Sequence, residues 1–387
     1  LVCSAIAWLI LAPSAQLPQA AAGVSAAAWL SNIHFAFQKL DYFSPGTETN
    51  IFLHTWSLGV EEQFYLIWPV LIFLLLQYTN PAQRIRRLRV CMALVFGASL
   101  VACIWATFKF PQFAFYMMPL RAWQFALGAI VWVESQKEQG WLSRSMHSGK
   151  ARSAVGWLGL FLLLAAATQL NANYPYPGFY ALIPTLGAAL VIASGGNGAM
   201  TSVQRCLSWK PMQAVGHISY SWYLWHWPIL LLGYALMGSN APTYRLVYVA
   251  ISLLPAFLSY RYVESPIRHQ RWWLVHKRTT VYGALALVLC CAFGSLQWYG
   301  YAGERANSPE QKQLVTAHND SPVIYAMGCD DWYFSDRVKA CMFGAANAPH
   351  TAVLLGDSVA GQWFPAVARV FGGSDWRLLV LTKSSCP

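Results

Sequence analysis

The stretch that decides the fold is residues 54–77, HTWSLGVEEQFYLIWPVLIFLLLQ, where a histidine and two adjacent carboxylates run unbroken into an apolar wall. A run from 56 to 78 is long enough to cross a bilayer core, which takes roughly 17–25 apolar residues. On a helix, His54, Ser57, Glu61 and Tyr65 fall at i, i+3, i+7 and i+11 and project from one face. A carboxylate at membrane depth is costly unless it meets water, a cation or a donor, so that face is expected to line a cavity or to pair within a bundle. The plainer alternative sets Glu61 and Glu62 at the headgroup level, capping a helix end.

The rest of the chain supports the membrane reading. Its 387 residues are 57% hydrophobic and 11% charged, with 19 Trp, 19 Tyr and 20 Phe, too apolar for a soluble domain of that size. Further spans are expected at 90–107, 117–133, 154–169, 178–194, 214–237, 244–263 and 281–299, and a ninth is cut at Leu1. The Ala-rich 19–28 leads into AAWLSNIHFAFQ, which is broken by Asn32, His34 and Gln38 and reads as a short or re-entrant segment.

Charge then sets orientation. Residues 1–299 carry 19 Lys and Arg against 7 Asp and Glu, whereas 300–387 carry 7 against 8, so the net +11 belongs to the membrane part. Alternating the loops gathers Arg84, Arg86, Arg87, Arg89, Arg205, Lys210, Arg268 and Arg271 on one side, which the positive-inside rule makes cytoplasmic. This accounts for the basic charge as topology and argues against nucleic acid as a partner. The tail is thereby placed outside, where composition shifts to Asp, Ser, Asn and Gly. Cys329, Cys341 and Cys386 share that oxidising side; one disulfide among them is an open expectation, with 329–341 favoured because it closes a short loop. No spacing suggests a metal set.

Two further polar sites lie within apolar stretches. In YMMPLRAWQFALGAIVW, Arg121 follows Pro119 near a helix start, at a depth similar to Glu61 and Glu62. It reads either as a structural ion-pair lock or as a cation holding a phosphate, thioester or carboxylate of a substrate. In GHISYSWYLWHWPILLL, Ser219, Tyr223 and His226 share a face among Trp222, Trp225 and Trp227. Tryptophans are common interface anchors, but an intramembrane histidine can carry protons.

HTWSLGVEEQFYLIWP, PLRAWQFALGA, GHISYSWYLWHWPIL and VESPIR (263–268), in this order and spacing, resemble the membrane acyltransferase family 3 over about residues 1–270. That resemblance implies a polytopic α-helical bundle that takes an acyl group, commonly acetyl, from cytoplasmic acyl-coenzyme A. It implies delivery to an outer-side sugar of lipopolysaccharide O-antigen, peptidoglycan or exopolysaccharide, in a bacterial inner membrane.

The tail adds HTAVLLGDSVAGQWFPAVARVF, a strand ending in Gly356-Asp357-Ser358 and a helix from about Val359. It resembles the first block of an SGNH hydrolase domain, an α/β, flavodoxin-like fold, with Ser358 as nucleophile at the positive end of a helix. A mere turn between strand and helix is the alternative. The expected layout is a transmembrane domain over 1–299, a linker over 300–323 and the start of the SGNH-like domain over 324–387.

Departures are visible. Val359 stands where the fused subgroup commonly has histidine, and Gln124 where glutamate is expected. The family's proposed catalytic histidine belongs to a span before Leu1, and the SGNH Asp-x-x-His block lies beyond Pro387, so the fragment is expected to be catalytically incomplete. The expected catalytic set is Ser358, Asp357, Glu61, Glu62, His54, Arg121 and His226, with Arg121, Tyr65 and Tyr223 beside the acyl-coenzyme A and no metal. A transporter or flippase of a lipid-linked sugar would also bury His, Arg and Glu in a bundle; the absence of an inverted repeat and the hydrolase-like tail argue against it.

Overall fold

The computed structural model describes residues 1–38, 49–135, 148–171, 174–195, 200–238, 241–330 and 337–384. Cys386 lies outside the described residues. Two compact units divide at Glu304, residues 1–304 and 305–387.

The first unit is helical. Its principal elements are α1 (Val2–Ile10), α2 (Pro13–Ala27), α3 (Trp56–Leu76), α4 (Pro81–Lys109), α5 (Met118–Ser135), α6 (Gly149–Gln169), α7 (Leu182–Ser194), α8 (Lys210–Met237), α9 (Pro242–Ser259) and α10 (Lys277–Ala306). A helix therefore stands at each of the eight full spans read from the sequence. Among the described residues, however, five helices are both long and apolar enough to cross a membrane: 53–76, 81–109, 149–169, 242–269 and 277–306. The others fall short for physical reasons. Helix α7 has only 13 residues, and α5 and α8 carry the polar side chains that make up the site described below.

Helix α4 also starts earlier than its apolar run. Asn80 caps it by accepting from the Ala82 amide, Pro81 takes the first turn, and the arginines at 84–89 continue the helix because arginine is a good helix former. The stretch read as one short or re-entrant segment is instead two helices, α2 and Ser31–Phe37. Three of their polar residues turn inward and are satisfied, while His34 bonds the exposed Gln38. Gln16 bonds the Trp298 indole at 3.0 Å, and Gln19 bonds the Ile51 amide at 2.8 Å. Asn32 exchanges bonds with Gln63 on α3.

Helices α6 and α7 cross where each presents glycine. A Cβ on Gly159 would lie 2.6 Å from the Gly187 carbonyl oxygen, and one on Gly187 would lie 2.9 Å from that of Gly159. Such close approach lets two apolar helices gain packing contact without a hydrophobic drive between them.

The second unit holds a three-stranded sheet of order β1-β3-β2: β1 (Cys341–Gly344), β2 (His350–Gly356) and β3 (Trp376–Thr382). Strands β2 and β3 run parallel, joined by α11 (Ser358–Phe371), and β1 pairs antiparallel with β3. Ile324, Phe364, Leu378 and Val380 form its core beside the Cys329–Cys341 disulfide, the pairing favoured from loop length. Residues 300–323, read as a linker, are largely helical, α10 ending at Ala306 and a further helix covering Pro309–Asn319.

Candidate functional site

The strongest polar feature is built around Arg121, on the first turn of α5. Its side chain is 5% exposed, and its Nε donates to the Phe115 carbonyl at 3.0 Å. The guanidinium lies 5.0 Å from the ring centre of Phe115, 5.4 Å from Tyr176 and 5.5 Å from Trp56. These faces carry negative quadrupole charge and replace part of the lost hydration of the cation. The helix start is itself pinned, since Ser99 donates to the Pro119 carbonyl at 2.6 Å and accepts from the Trp123 amide at 3.0 Å.

Arg121 borders a cavity of about 510 Å³, with Trp56, Tyr176, Gln124 and Asn171 on its wall and the apolar side chains of Leu163 and Leu170 opposite. Gln124 is held by Thr185 at 3.2 Å. No ion pair joins Arg121 to a carboxylate among the described residues. Of the two readings of Arg121, the ion-pair lock with Glu61 or Glu62 is therefore not formed. Arg121 is level with Trp56, five residues before Glu61 on the chain, and the rings take the place of an acid.

A second cluster joins α3 to α8. The turn Leu53–Thr55 that precedes α3 carries His54, which is 5% exposed. Tyr223 donates to the His54 carbonyl. The Ser57 and Tyr223 hydroxyls share a further bond at 2.6 Å, and Ser57 also reaches the His54 carbonyl at 3.3 Å. The His54 ring faces those of Tyr223 at 5.3 Å and His226 at 5.8 Å.

Neither ring nitrogen of His54 has a partner in hydrogen-bond geometry among the described residues, although the carbonyls of Ile51 and Leu224 are close by. Pro228 has no N–H to offer the Leu224 carbonyl four residues before it, so the proline of the HWP triplet frees an acceptor beside His54. His226 approaches the Tyr223 carbonyl with Nδ1 at 2.7 Å. A neutral ring there carries its proton on Nδ1 and leaves Nε2 as the basic atom.

The indoles around His226 are fastened within the protein. Trp222 bonds Ser252, Trp225 bonds Ser259 and Trp227 bonds the Asn50 carbonyl. They hold α8 to its neighbours rather than marking a membrane surface.

The carboxylates form a third group. Glu61 accepts from Tyr65 at 2.5 Å, the i, i+4 contact that the face predicted, with Glu62 beside it. The first turn of α3 contains no acid, so neither glutamate caps that helix. Deeper along the seam, Glu264 accepts from Ser221 at 2.7 Å and pairs with Arg268 at 3.5 Å. The structure thus brings His54, Tyr223 and His226 together, and Glu61 with Tyr65, while Arg121 has a chamber of its own. Ser219 bonds its own helix at Gly216 and joins none of these groups.

Sequence reasoning missed Trp56, Phe115, Tyr176 and Asn171 around Arg121. Only the density of aromatics near these motifs signalled them. It also missed Glu264, although its motif was noticed.

In the second unit Ser358 opens α11 directly after β2. Asp357 is the N-cap, accepting from the Val359 amide at 2.9 Å. Gly356 has φ +152°, and a Cβ there would lie 2.7 Å from that of Ala360, so the turn demands glycine. Ser358 is half-buried and its hydroxyl has no hydrogen bond among the described residues. No cluster of His, Cys, Asp or Glu suited to a metal occurs among the described residues.

Comparison with known proteins adds the family. The acyltransferase domain model (acyltransferase 3) matches residues 1–261. BcsY of Komagataeibacter xylinus, named as an unconfirmed membrane-bound transacylase, is 33% identical over 266 residues, 68% of this chain and 63% of that protein. The peptidoglycan O-acetyltransferase OatA of Listeria monocytogenes is 27% identical over 251 residues, 62% of this chain and 39% of its own. The O-acetyltransferase OatA of Staphylococcus aureus is 26% identical over 274 residues, 69% of this chain and 44% of its own. The match thus spans between 39% and 63% of these relatives' length. No solved structure matches. The chain belongs to the acyltransferase 3 domain family.

Proposed function

We propose that this acyltransferase-family chain is part of a multi-pass membrane enzyme of the bacterial inner membrane. The enzyme moves an acetyl group from cytoplasmic acetyl-coenzyme A to a hydroxyl of an extracytoplasmic glycan, lipopolysaccharide O-antigen or a similar surface sugar. Peptidoglycan is an alternative acceptor, suggested by the name of the Listeria relative.

The observation that carries this reading is the Arg121 chamber. Burying a cation is unfavourable unless it is compensated, and here three rings and one carbonyl hold it at the wall of a 510 Å³ cavity. A guanidinium so placed can bind a phosphate, thioester or carboxylate oxygen and stabilise charge that develops on it. In a separate cluster, His54 and His226 supply basic ring nitrogens, and Tyr223 bridges to the start of α3. Glu61, Glu62 and Tyr65 keep the same seam polar; Tyr65 and Tyr223 are the hydroxyls offered to the donor.

In the tail, an SGNH-like domain on the extracytoplasmic side, the Ser358 oxygen attacks the acyl carbonyl, the bond from that carbonyl to its donor breaks, the donor leaves with the serine's proton and an ester forms. A sugar hydroxyl then takes the acyl group and the serine regains its proton. The Ser358 amide at the start of α11 is the oxyanion donor, and Asp357 holds that turn.

The test is consumption of labelled acetyl-coenzyme A by membranes containing the full-length protein, followed by label in the surface glycan. Label passing to glycan is the expected result. Membranes that export a lipid-linked sugar without consuming the thioester would overturn the reading in favour of a flippase.

A further inference from the structure

We infer that the polar side chains along the seam of α3, α8 and the π-helical turn that follows α9 form a proton path, and that a proton passes along it in the direction opposite to the acyl group at every transfer. The inference rests on the function proposed above and adds what that chemistry requires of the membrane unit.

The requirement follows from atom balance. The thioester C–S bond breaks and an ester C–O bond forms. The acceptor hydroxyl loses its proton, and the coenzyme A sulfur, leaving as a thiolate, takes one up near neutral pH, since a thiol has a pKa of about 8.5. Donor and acceptor are on opposite sides of the membrane. If each proton were exchanged with bulk water on its own side, every turnover would move one positive charge outward. That is work against an inside-negative potential. A proton returning through the protein makes the exchange electroneutral.

The seam has the groups for this. At one end the rings of His226 and His54 meet edge to face with centres 5.8 Å apart. The Tyr223 hydroxyl then bridges the His54 carbonyl and Ser57, at 2.6 Å from the serine. One turn further along α3, Glu61 accepts from Tyr65 at 2.5 Å, with Glu62 adjacent. One turn from Tyr223 on α8, the Tyr220 hydroxyl lies in the field of Glu62, Glu264 and Glu61 together.

The last rung is Glu264, bonded to Ser221 at 2.7 Å and paired with Arg268 at 3.5 Å at the arginine-rich end. It closes a π-helical turn, Tyr260–Glu264, a distortion that recurs at functional sites. Successive turns set side chains roughly 5–6 Å apart, a gap one water can bridge. Imidazole, phenol, hydroxyl and carboxyl groups can each accept and pass on a proton, which a guanidinium cannot. Arg121, outside this file in its own chamber, fits a binding role instead.

The test uses inside-out vesicles from cells making the full-length protein, so that the native glycan is in the lumen, with a pH-sensitive dye trapped beside it. Labelled acetyl-coenzyme A is added outside. The path predicts label entering the lumenal glycan with no change in lumenal pH, at a rate indifferent to a lumen-positive potential. Release of one proton into the lumen per acyl group transferred overturns it. Glu264→Gln keeps the bond to Ser221 but cannot carry a proton; transfer is expected to slow about 100-fold, with the residual turnover acidifying the lumen. Glu264→Asp is expected to restore quiet transfer, and Glu264→Gln at the parental rate contradicts the path. The two readings fail differently: no label in the glycan removes the proposed function and the path with it, whereas label with acidification removes the path alone.

Discussion

Arg121 and Ser358 each occupy the first turn of a helix, and there the likeness ends. Arg121 is 5% exposed, roofed by Trp56, Phe115 and Tyr176 and bonded to a carbonyl of a preceding helix. Ser358 is half-buried, has no hydrogen bond among the described residues and owes its position to Gly356 and Asp357 immediately before it. A cation within an apolar bundle has to be compensated by groups gathered from far along the chain. A nucleophile at a strand-to-helix turn needs only local backbone geometry and the free N–H groups of the helix. One site is therefore a product of the tertiary fold, and the other of about ten consecutive residues.

Substitutions can sharpen or break that contrast. The largest effect is expected from Ser358→Ala in the full-length protein: glycan acylation falls at least about 1000-fold, as for loss of a serine nucleophile, with thermal unfolding unchanged. Undiminished acylation would show that this half-buried serine is only a turn residue. Next is Cys329→Ser, which opens a disulfide of sequence separation 12 and is expected to destabilise the second unit by about 2–3 kcal/mol, read by denaturation of the purified protein with and without reductant. Gly356→Ala places a methyl 2.7 Å from the Ala360 side chain at a φ that favours glycine, for a loss of about 1–3 kcal/mol and displacement of Ser358. Acylation and thermal unfolding should fall together in that variant. The smallest is Tyr223→Phe, which removes the bonds to Ser57 and the His54 carbonyl and is expected to cost about 1 kcal/mol in detergent unfolding. A null effect there would mean that α3 and α8 do not depend on this bridge.

The same contrast explains what could be read from the sequence. The strand, glycine, N-cap and helix around Ser358 are contiguous signals, and β2 and α11 lie within a residue of where they were expected. Helical periodicity likewise placed Tyr65 against Glu61. Hydrophobicity located the helices but not their ends, because the arginines before Val90 favour helix while opposing burial, and α4 begins at Pro81. What could not be read was which groups meet across the bundle. The sequence suggests a similar depth for Arg121 and Glu61, which made an ion pair one of two readings, but charge complementarity alone does not specify contact when aromatic faces compete for the cation. Trp56, Phe115 and Tyr176 are separated by up to 120 residues, and no local pattern joins them. Asn32 misled in the opposite direction, suggesting an interrupted segment where it is buried and bonded to Gln63 of α3.

The measurement that bears most directly on the Arg121 chamber as the acyl-handling site is the activity of Arg121→Ala in the full-length protein, with thermal unfolding in detergent to establish that it folds. The account predicts a folded protein whose transfer of labelled acetyl from acetyl-coenzyme A falls about 100-fold, in line with removal of a preorganised charge-stabilising donor. A folded variant that acylates glycan at the parental rate would contradict it.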